Sequence, residues 1–357
     1  MQVQRIVPGR RAPVRLVGAV LVRDLAIPGH RWSKGRRLTA DDLAALAAAD
    51  PGDPITVLVP EAGELHEDDA AIRLAAAVAG PGLTVRGPTQ SRIDLHAEAA
   101  GVLNVKVAEL ERLNRIDPLQ VFTAFDGQIV GPGDLVASVK VAPHLVDAAT
   151  VDAGARLAGF GSHPLVWVAP FIPSRVGIIV KQSVRGPARE RFERSVRSKI
   201  EGLGSTIVSI AYIDDDPDAV EAAFAALVRR PDPVDLILTA GAASTDPTDA
   251  CFVAIAALGG RIVRRGIPAH PGSMLWLARI GGSAILGLPT CGAYSKATAA
   301  DLLLPRLLSG EPASERTVAK LGHGGILTRS QRFRFPAYAR ELDAPDVQVN
   351  PGARPAV

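Results

Sequence analysis

Hydrophobic positions change their spacing near Arg175. Before it, short apolar runs lie between turn signals; after it, continuous apolar runs alternate with helical stripes. In the first part, Val14–Val22 and Ile55–Val59 read as strands. Thr39 and Asp42 have capping-box spacing and predict a helix through Ala49. Glu67, Asp68 and Asp69 suit the positive end of a second helix, which Gly80 and Pro81 stop near Ala79. Further on, Val107, Leu110, Leu113 and Ile116 form one helical stripe. Val121–Phe125 and Gln128–Val130 flank Asp126-Gly127 and predict a hairpin, and Leu135–Val141 continues the β character.

Beyond Arg175, Val176–Val180 is an uncharged run, as a strand buried on both faces requires. Phe192, Val196 and Ile200 recur at helical spacing, and Ser205–Ile213 returns to strand. Asp216 caps a helix starting at Pro217 that buries Val220, Phe224, Leu227 and Val228. Val234–Thr239 is a third strand, and Asp249–Leu258 a helix ended by Gly259-Gly260. Met274–Ile280 and Ser283–Leu288 flank Gly281-Gly282 as a hairpin, and a last helix covers Ser295–Leu308. This alternation predicts an α/β domain with a three-layer, mostly parallel sheet, preceded by smaller β-rich α+β accessory domains. The expected divisions are an N-terminal accessory region at 1–83, a β-rich accessory region at 84–168, the α/β domain at 169–312 and a basic, proline-dotted tail at 313–357.

Composition narrows the class. Of 357 residues, 47% are hydrophobic and 22% charged, a globular balance. A formal net charge of +3 gives no reason to expect nucleic acid, although Met1–Arg37 carries nine basic residues against one acid, Asp24. The plainest role for that arm is solubility. Two cysteines, Cys251 and Cys291, exclude a disulfide framework and suit a reducing, cytoplasmic setting. The uncharged stretches Leu157–Ser174 and Ile280–Ser295 are broken by Gly and Pro, so no membrane span is expected. P-loop, G-x-G-x-x-G and G-x-S-x-G motifs are absent.

Ligands of such sheets bind beyond the carboxyl ends of the strands, so the loops after Val180, Thr239 and Leu288 are the ones to read. The loop from Thr239 to Asp249 is built of small residues and hydroxyls and opens a helix whose free N–H groups suit phosphate. Asp246 and Asp249 suit Mg²⁺ or an oriented nucleophile; Asp249 equally suits a helix cap. The loop from Gly287 to Ser295 has the same strand–turn–helix form. Cys291 there is a small filler rather than a nucleophile, since no His stands beside it.

In order and spacing these pieces resemble the molybdopterin-binding domain of molybdopterin molybdenumtransferases, the gephyrin C-terminal domain and molybdopterin adenylyltransferases. That family has T-G-D-E after one strand, then an Asp-Leu strand leading to G-G-x-S-x-G-x-x-D, then P-G-K-P, then G-L-P-G-N-P-x-S before a helix. Asp235-Leu236-Ile237-Leu238-Thr239-Ala240-Gly241-Ala242-Ala243-Ser244 follows the second motif, and Asp249 falls on its final aspartate. Pro271-Gly272-Ser273 follows the third; Gly287-Leu288-Pro289 opens the fourth, with Ser295 one residue past its serine. Val17–Asp24 and Lys34-Gly35 are similar to the opening of the transferases. The departures are chemical. Lys181-Gln182-Ser183-Val184 replaces T-G-D-E, Ser273 replaces the lysine, and Thr290-Cys291-Gly292 replaces G-N-P.

The resemblance implies a pterin-phosphate ligand, molybdopterin in free or adenylated form, with Mg²⁺ and molybdate as its companions in a transferase. It implies catalytic roles for Asp249 and Asp246, with Asp249 also the metal ligand. Cofactor contacts would come from Lys181, Thr239, Ala240, Gly241, Ala242 and Ser244, from Pro271, Gly272 and Ser273, and from Pro289, Thr290, Cys291, Gly292 and Ser295. Lys181 and Arg185 either replace a metal's charge or are surface charges. Two functions follow: a molybdenum-cofactor biosynthesis enzyme that inserts molybdate into adenylated molybdopterin, or a non-catalytic carrier, chaperone or sensor of the pterin with an apo-molybdoenzyme client. A homodimer is expected in either case.

Overall fold

A run such as Val176–Val180 has no polar side to offer water, so it is stable only with helices on both faces. In the computed structural model, which describes residues 1–161, 163–181, 187–241, 246–288 and 297–340, it lies in the interior of a six-stranded sheet. The chain divides into two compact units, one made of Met1–Ala99, Leu103–Asp126 and Gly131–Val168, the other of Ala100–Val102, Gly127–Val130 and the chain from Ala169 onward.

In the first unit, an antiparallel sheet runs in the order Leu119–Thr123, Leu135–Val141, Arg92–Ala97, Leu83–Thr89, with the helix Glu67–Val78 against it. A smaller sheet of Gln2–Ile6, Ile55–Val59 and Val20–Leu21 shares a core with the helix Ala40–Ala48 through Ile6, Leu21, Leu46 and Val57. That helix starts with the expected capping box between Thr39 and Asp42.

Two local expectations are corrected. Val14–Val22 is a 3₁₀ turn at Val14–Leu16 followed by a two-residue strand at Val20–Leu21. The hairpin at Asp126-Gly127 does not form. Leu119–Thr123 pairs instead with Leu135–Val141, and Ile129–Val130 pairs with Gly101–Val102. Asp126 Oδ1 accepts the Val105 amide at 2.9 Å, so the turn residue is tied to a distant segment rather than to its own hairpin.

The second unit carries β1 (Arg175–Val180), α1 (Pro187–Glu201), β2 (Thr206–Tyr212), α2 (Pro217–Val228), β3 (Leu236–Ala240), α3 (Ala250–Ala257), β4 (Arg261–Arg265), β5 (Trp276–Ile280), β6 (Ser283–Leu288) and α4 (Ala300–Leu308). The sheet order is β2-β1-β3-β6-β5-β4. The first four strands are mutually parallel; β5 returns antiparallel through the Gly281-Gly282 turn, and β4 pairs antiparallel with β5 and so runs with the first four. Alternate residues go to opposite cores. Val176, Ile178, Leu236, Leu238 and Leu286 face Phe192, Val196 and Ile200 of α1 and Leu303 of α4. Ile179, Ile237 and Ile285 face Phe224 of α2 and Ile255 of α3. This is the expected three-layer arrangement.

The strand β4 went unread because Arg-Ile-Val-Arg-Arg shows little apolar pattern; it is an exposed sheet edge, where arginines also discourage pairing with other chains. The chain after Gly310 also packs: Val318, Leu321, Leu327 and Phe335 join the α1 side of the core. Lys199 of α1 and Asp301 of α4 form a buried ion pair beneath the Tyr338 ring. Among the described residues, no helix is long and apolar enough to cross a membrane.

Gly287 tests the packing of this sheet. A Cβ there would enter the Trp276 indole, which is fully buried. Gly287→Ala is expected to cost about 1–3 kcal/mol by overpacking, read as a lower urea midpoint with unchanged slope.

Candidate functional site

The strands of the parallel half end in step. Val180 lies opposite Ala240, and Ala240 opposite Leu288. The first amide past each strand bonds to its neighbour: Lys181 N–H donates to Ala240 O at 2.8 Å, Gly241 N–H to Leu288 O at 3.3 Å and Ile213 N–H to Val180 O at 3.0 Å. The loops after β1, β3 and β6 therefore leave from one edge. Antiparallel β5 begins there too, Trp276 opposite Gly287, which brings in the preceding Pro271-Gly272 turn. Gly241 has φ +100, a left-handed conformation that a side chain would strain, so the chain turns sharply as it leaves the sheet.

Alternation along β1 and β3 sends Lys181 and Thr239 to the α3 face, with Ile179 and Ile237 below them. Thr239 Oγ1 is buried and has no hydrogen-bond partner among the described residues. Lys181 is 4% exposed. Its Nζ lies 2.7 Å from Asp249 Oδ2 and 2.9 Å from Asp215 Oδ1. Burial alone would lower the Lys181 pKa, but the two carboxylates outweigh it, and the net shift is upward.

Asp249 is the N-cap of α3. Its Oδ1 accepts the Cys251 amide at 2.9 Å while Oδ2 holds Lys181, so both oxygens are engaged. The expected free amides at this helix start are taken as well. Phe252 and Val253 donate to Asp249 O at 2.9 and 3.2 Å. Asp246 lies in an exposed turn, where its Oδ1 accepts the Thr248 amide at 2.8 Å and the Thr248 hydroxyl at 2.6 Å; these bonds lower its pKa. Cys251 is fully buried, and burial followed by the Asp249 charge pushes its thiol up to about 12, which makes it inert.

In the third motif, Pro271 follows a cis peptide, and its carbonyl accepts the Ala299 amide at 2.9 Å; Gly272 lies directly against Ala299. Ser273 O accepts the Ile267 amide at 3.0 Å, and its side chain is exposed. Asp301 Oδ2 accepts the Thr298 amide at 2.9 Å and fixes the start of α4. Of the expected site residues, Lys181, Thr239, Ala240, Gly241 and Asp249 thus gather at the carboxyl edge, with Pro271 and Gly272 at the entry to β5. Ala242, Ser244, Pro289, Thr290, Cys291, Gly292, Ser295 and Arg185 lie outside the described residues. Asp215 was missed; the signal was the run Asp214-Asp215-Asp216 after β2, of which only Asp216 was read, as the α2 cap.

The Mg²⁺ implied by the resemblance does not fit the described residues. None of them form a group of three or more His, Cys, Asp or Glu able to hold a metal, and Asp249, the carboxylate aligned with the motif's final aspartate, is spent on a lysine and a helix cap.

Residues 178–309, from within β1 to just past α4, match the family model described as a probable molybdopterin binding domain. No curated protein matches the chain. Among solved structures it is similar to molybdenum cofactor biosynthesis protein B, at 17% identity over 43% of this chain and 93% of that one, with a TM-score of 0.28. It is also similar to the molybdopterin biosynthesis moea protein from Pyrococcus horikosii, at 14% identity over 70% and 81% of the two chains, TM-score 0.30. A molybdopterin biosynthesis protein from Mycobacterium abscessus is similar at 13% identity over 43% and 99%, TM-score 0.28.

Asp249→Asn keeps a capping oxygen but removes one counter-charge from Lys181, whereas Asp249→Ala removes the cap too. The Asn variant is expected to lose about 1–3 kcal/mol, since Asp215 still partners the lysine, and the Ala variant about 1 kcal/mol more. Because the folded pKa of Lys181 is raised, the pairing contribution is complete below the unfolded value of ~10.4 and is lost as pH rises through the folded one. The Asn deficit in urea denaturation should therefore stay constant up to about pH 10 and shrink only as the pH rises above ~10.4.

Proposed function

We propose that this chain holds molybdopterin at the carboxyl edge of the six-stranded sheet and hands it on without chemistry, as a carrier or chaperone in molybdenum cofactor biosynthesis. The observation that carries this reading is the state of Asp249. In a segment matching the molybdopterin-binding family model, the carboxylate aligned with the family's final motif aspartate is locked by Lys181 and by its own helix. A general base or metal ligand needs a free oxygen; a binding platform does not.

Binding itself asks for little that this chain lacks. The pterin phosphate needs backbone N–H groups offered by small-residue turns and a nearby cation. Gly241 opens one such turn, the Gly287–Ser295 loop supplies the second by sequence, and Lys181 has three donors of which two face carboxylates. The Cys251, Phe252 and Val253 amides of α3 are satisfied by Asp249, so the phosphate rests chiefly on the loops rather than on that helix end.

Calorimetry with molybdopterin and an adenylate-release assay with the adenylated form test the reading together. Molybdopterin should bind, adenylate should not be released, and Asp249→Asn should bind equally or slightly more tightly. Gly241→Val should weaken binding at least about tenfold, or about 1.4 kcal/mol, by straining the turn and blocking the approach to its backbone. Adenylate release that collapses in Asp249→Asn would show a working transferase instead.

A further inference from the structure

The resemblance calls for a divalent cation, yet the residues at the carboxyl edge do not fit one. The chemistry of that mismatch is specific. Lys181 is the first residue past β1, at the position where the family's T-G-D-E motif begins. Its side chain is 4% exposed, so its charge is removed from water. A buried ammonium is costly unless it is paired. Here two carboxylates pair it, Asp249 Oδ2 at 2.7 Å and Asp215 Oδ1 at 2.9 Å. The side chains come from three separate places: the end of β1, the loop before α2 and the cap of α3. One ammonium therefore joins three elements, as a cation bridging carboxylates would.

From this geometry we infer that Lys181 is the resident cation of the site, standing where a divalent metal would otherwise bridge Asp249 and Asp215, so that ligand binding at this edge is independent of metal. The inference deepens the proposed pterin-binding role and rests on it only for the identity of the ligand. The cation is covalently attached, so it needs no metal supply and no free carboxylate. It also bars Asp249 from metal chemistry, because an ion at Mg–O distances of about 2.0–2.1 Å would have to displace the ammonium. Asp215 is the adaptable partner: its side chain is 66% exposed, while that of Asp249 is 9% exposed. Without the ammonium, one fixed and one movable carboxylate would face the same small space, the beginnings of a hard-cation site.

Mn²⁺, followed by its free-ion EPR signal, is the probe. The unmodified protein should leave the added Mn²⁺ signal undiminished beyond weak surface binding, and Asp249→Asn should not change this. Lys181→Met, which keeps the stem and removes the charge, should bind one Mn²⁺ at least about tenfold more tightly, and adding Asp249→Asn should abolish that gain. A Mn²⁺ bound by the unmodified protein and lost in Asp249→Asn would overturn the inference, whether or not Lys181→Met folds. A folded Lys181→Met with no gain would overturn it as well. In parallel, molybdopterin titrations in EDTA and in excess Mg²⁺ should agree within about twofold, and a tenfold gain with Mg²⁺ contradicts metal independence. Absence of pterin binding in both buffers would remove the proposed function while leaving the Mn²⁺ result to stand alone.

Discussion

A sheet covered on both faces has only its strand ends free to meet a ligand. The backbones of β1, β3 and β6 pair with neighbouring strands, and the apolar side chains along them face one of two cores. The rest of the second unit follows from that constraint. Parallel strands need crossovers, the crossovers are the helices, and the loops feeding them accumulate at one edge. The antiparallel hairpin β5–β6 brings the Pro271-Gly272 turn to the same edge from the opposite direction. The site is thus a consequence of topology before any particular side chain is considered.

What this chain does with the edge depends on charge. A buried lysine amid carboxylates is a structural commitment, since removing the lysine leaves two carboxylates facing each other and removing both carboxylates leaves an uncompensated buried charge. Asp249 serves this pair and the α3 cap at once, which makes it rigid and unreactive. Thr239, on the same face of the sheet, has a buried hydroxyl with no hydrogen-bond partner among the described residues, which leaves it a capacity for a ligand or the adjoining loop. Paired cation, spent carboxylate and buried hydroxyl are the features on which the proposed binding role rests.

Much of this domain is legible in the sequence because its signals are local. The uncharged run Val176–Val180, the helical spacing of Phe192, Val196 and Ile200, and Asp216 ahead of Pro217 each state their structure within a few residues. The illegible parts depend on partners far away in the chain. Asp126-Gly127 has the chemistry of a hairpin turn, but the flanking strands find better partners elsewhere. The strand Arg261–Arg265 is polar because it lies at an edge, and its assignment comes from β5 rather than from its own pattern. At the site, motif order located Lys181 and Asp249 individually. Their ion pair, and the part Asp215 plays in it, arises only when β1, α2 and α3 are folded side by side.

The most direct test is to purify the unmodified protein, in EDTA throughout, from a host that makes the cofactor, and to identify bound pterin by its fluorescence after oxidation. The account predicts a molybdopterin-derived fluorophore that travels with the protein and survives chelation. A protein that comes away free of pterin, and that takes up none when molybdopterin is added back, would contradict it.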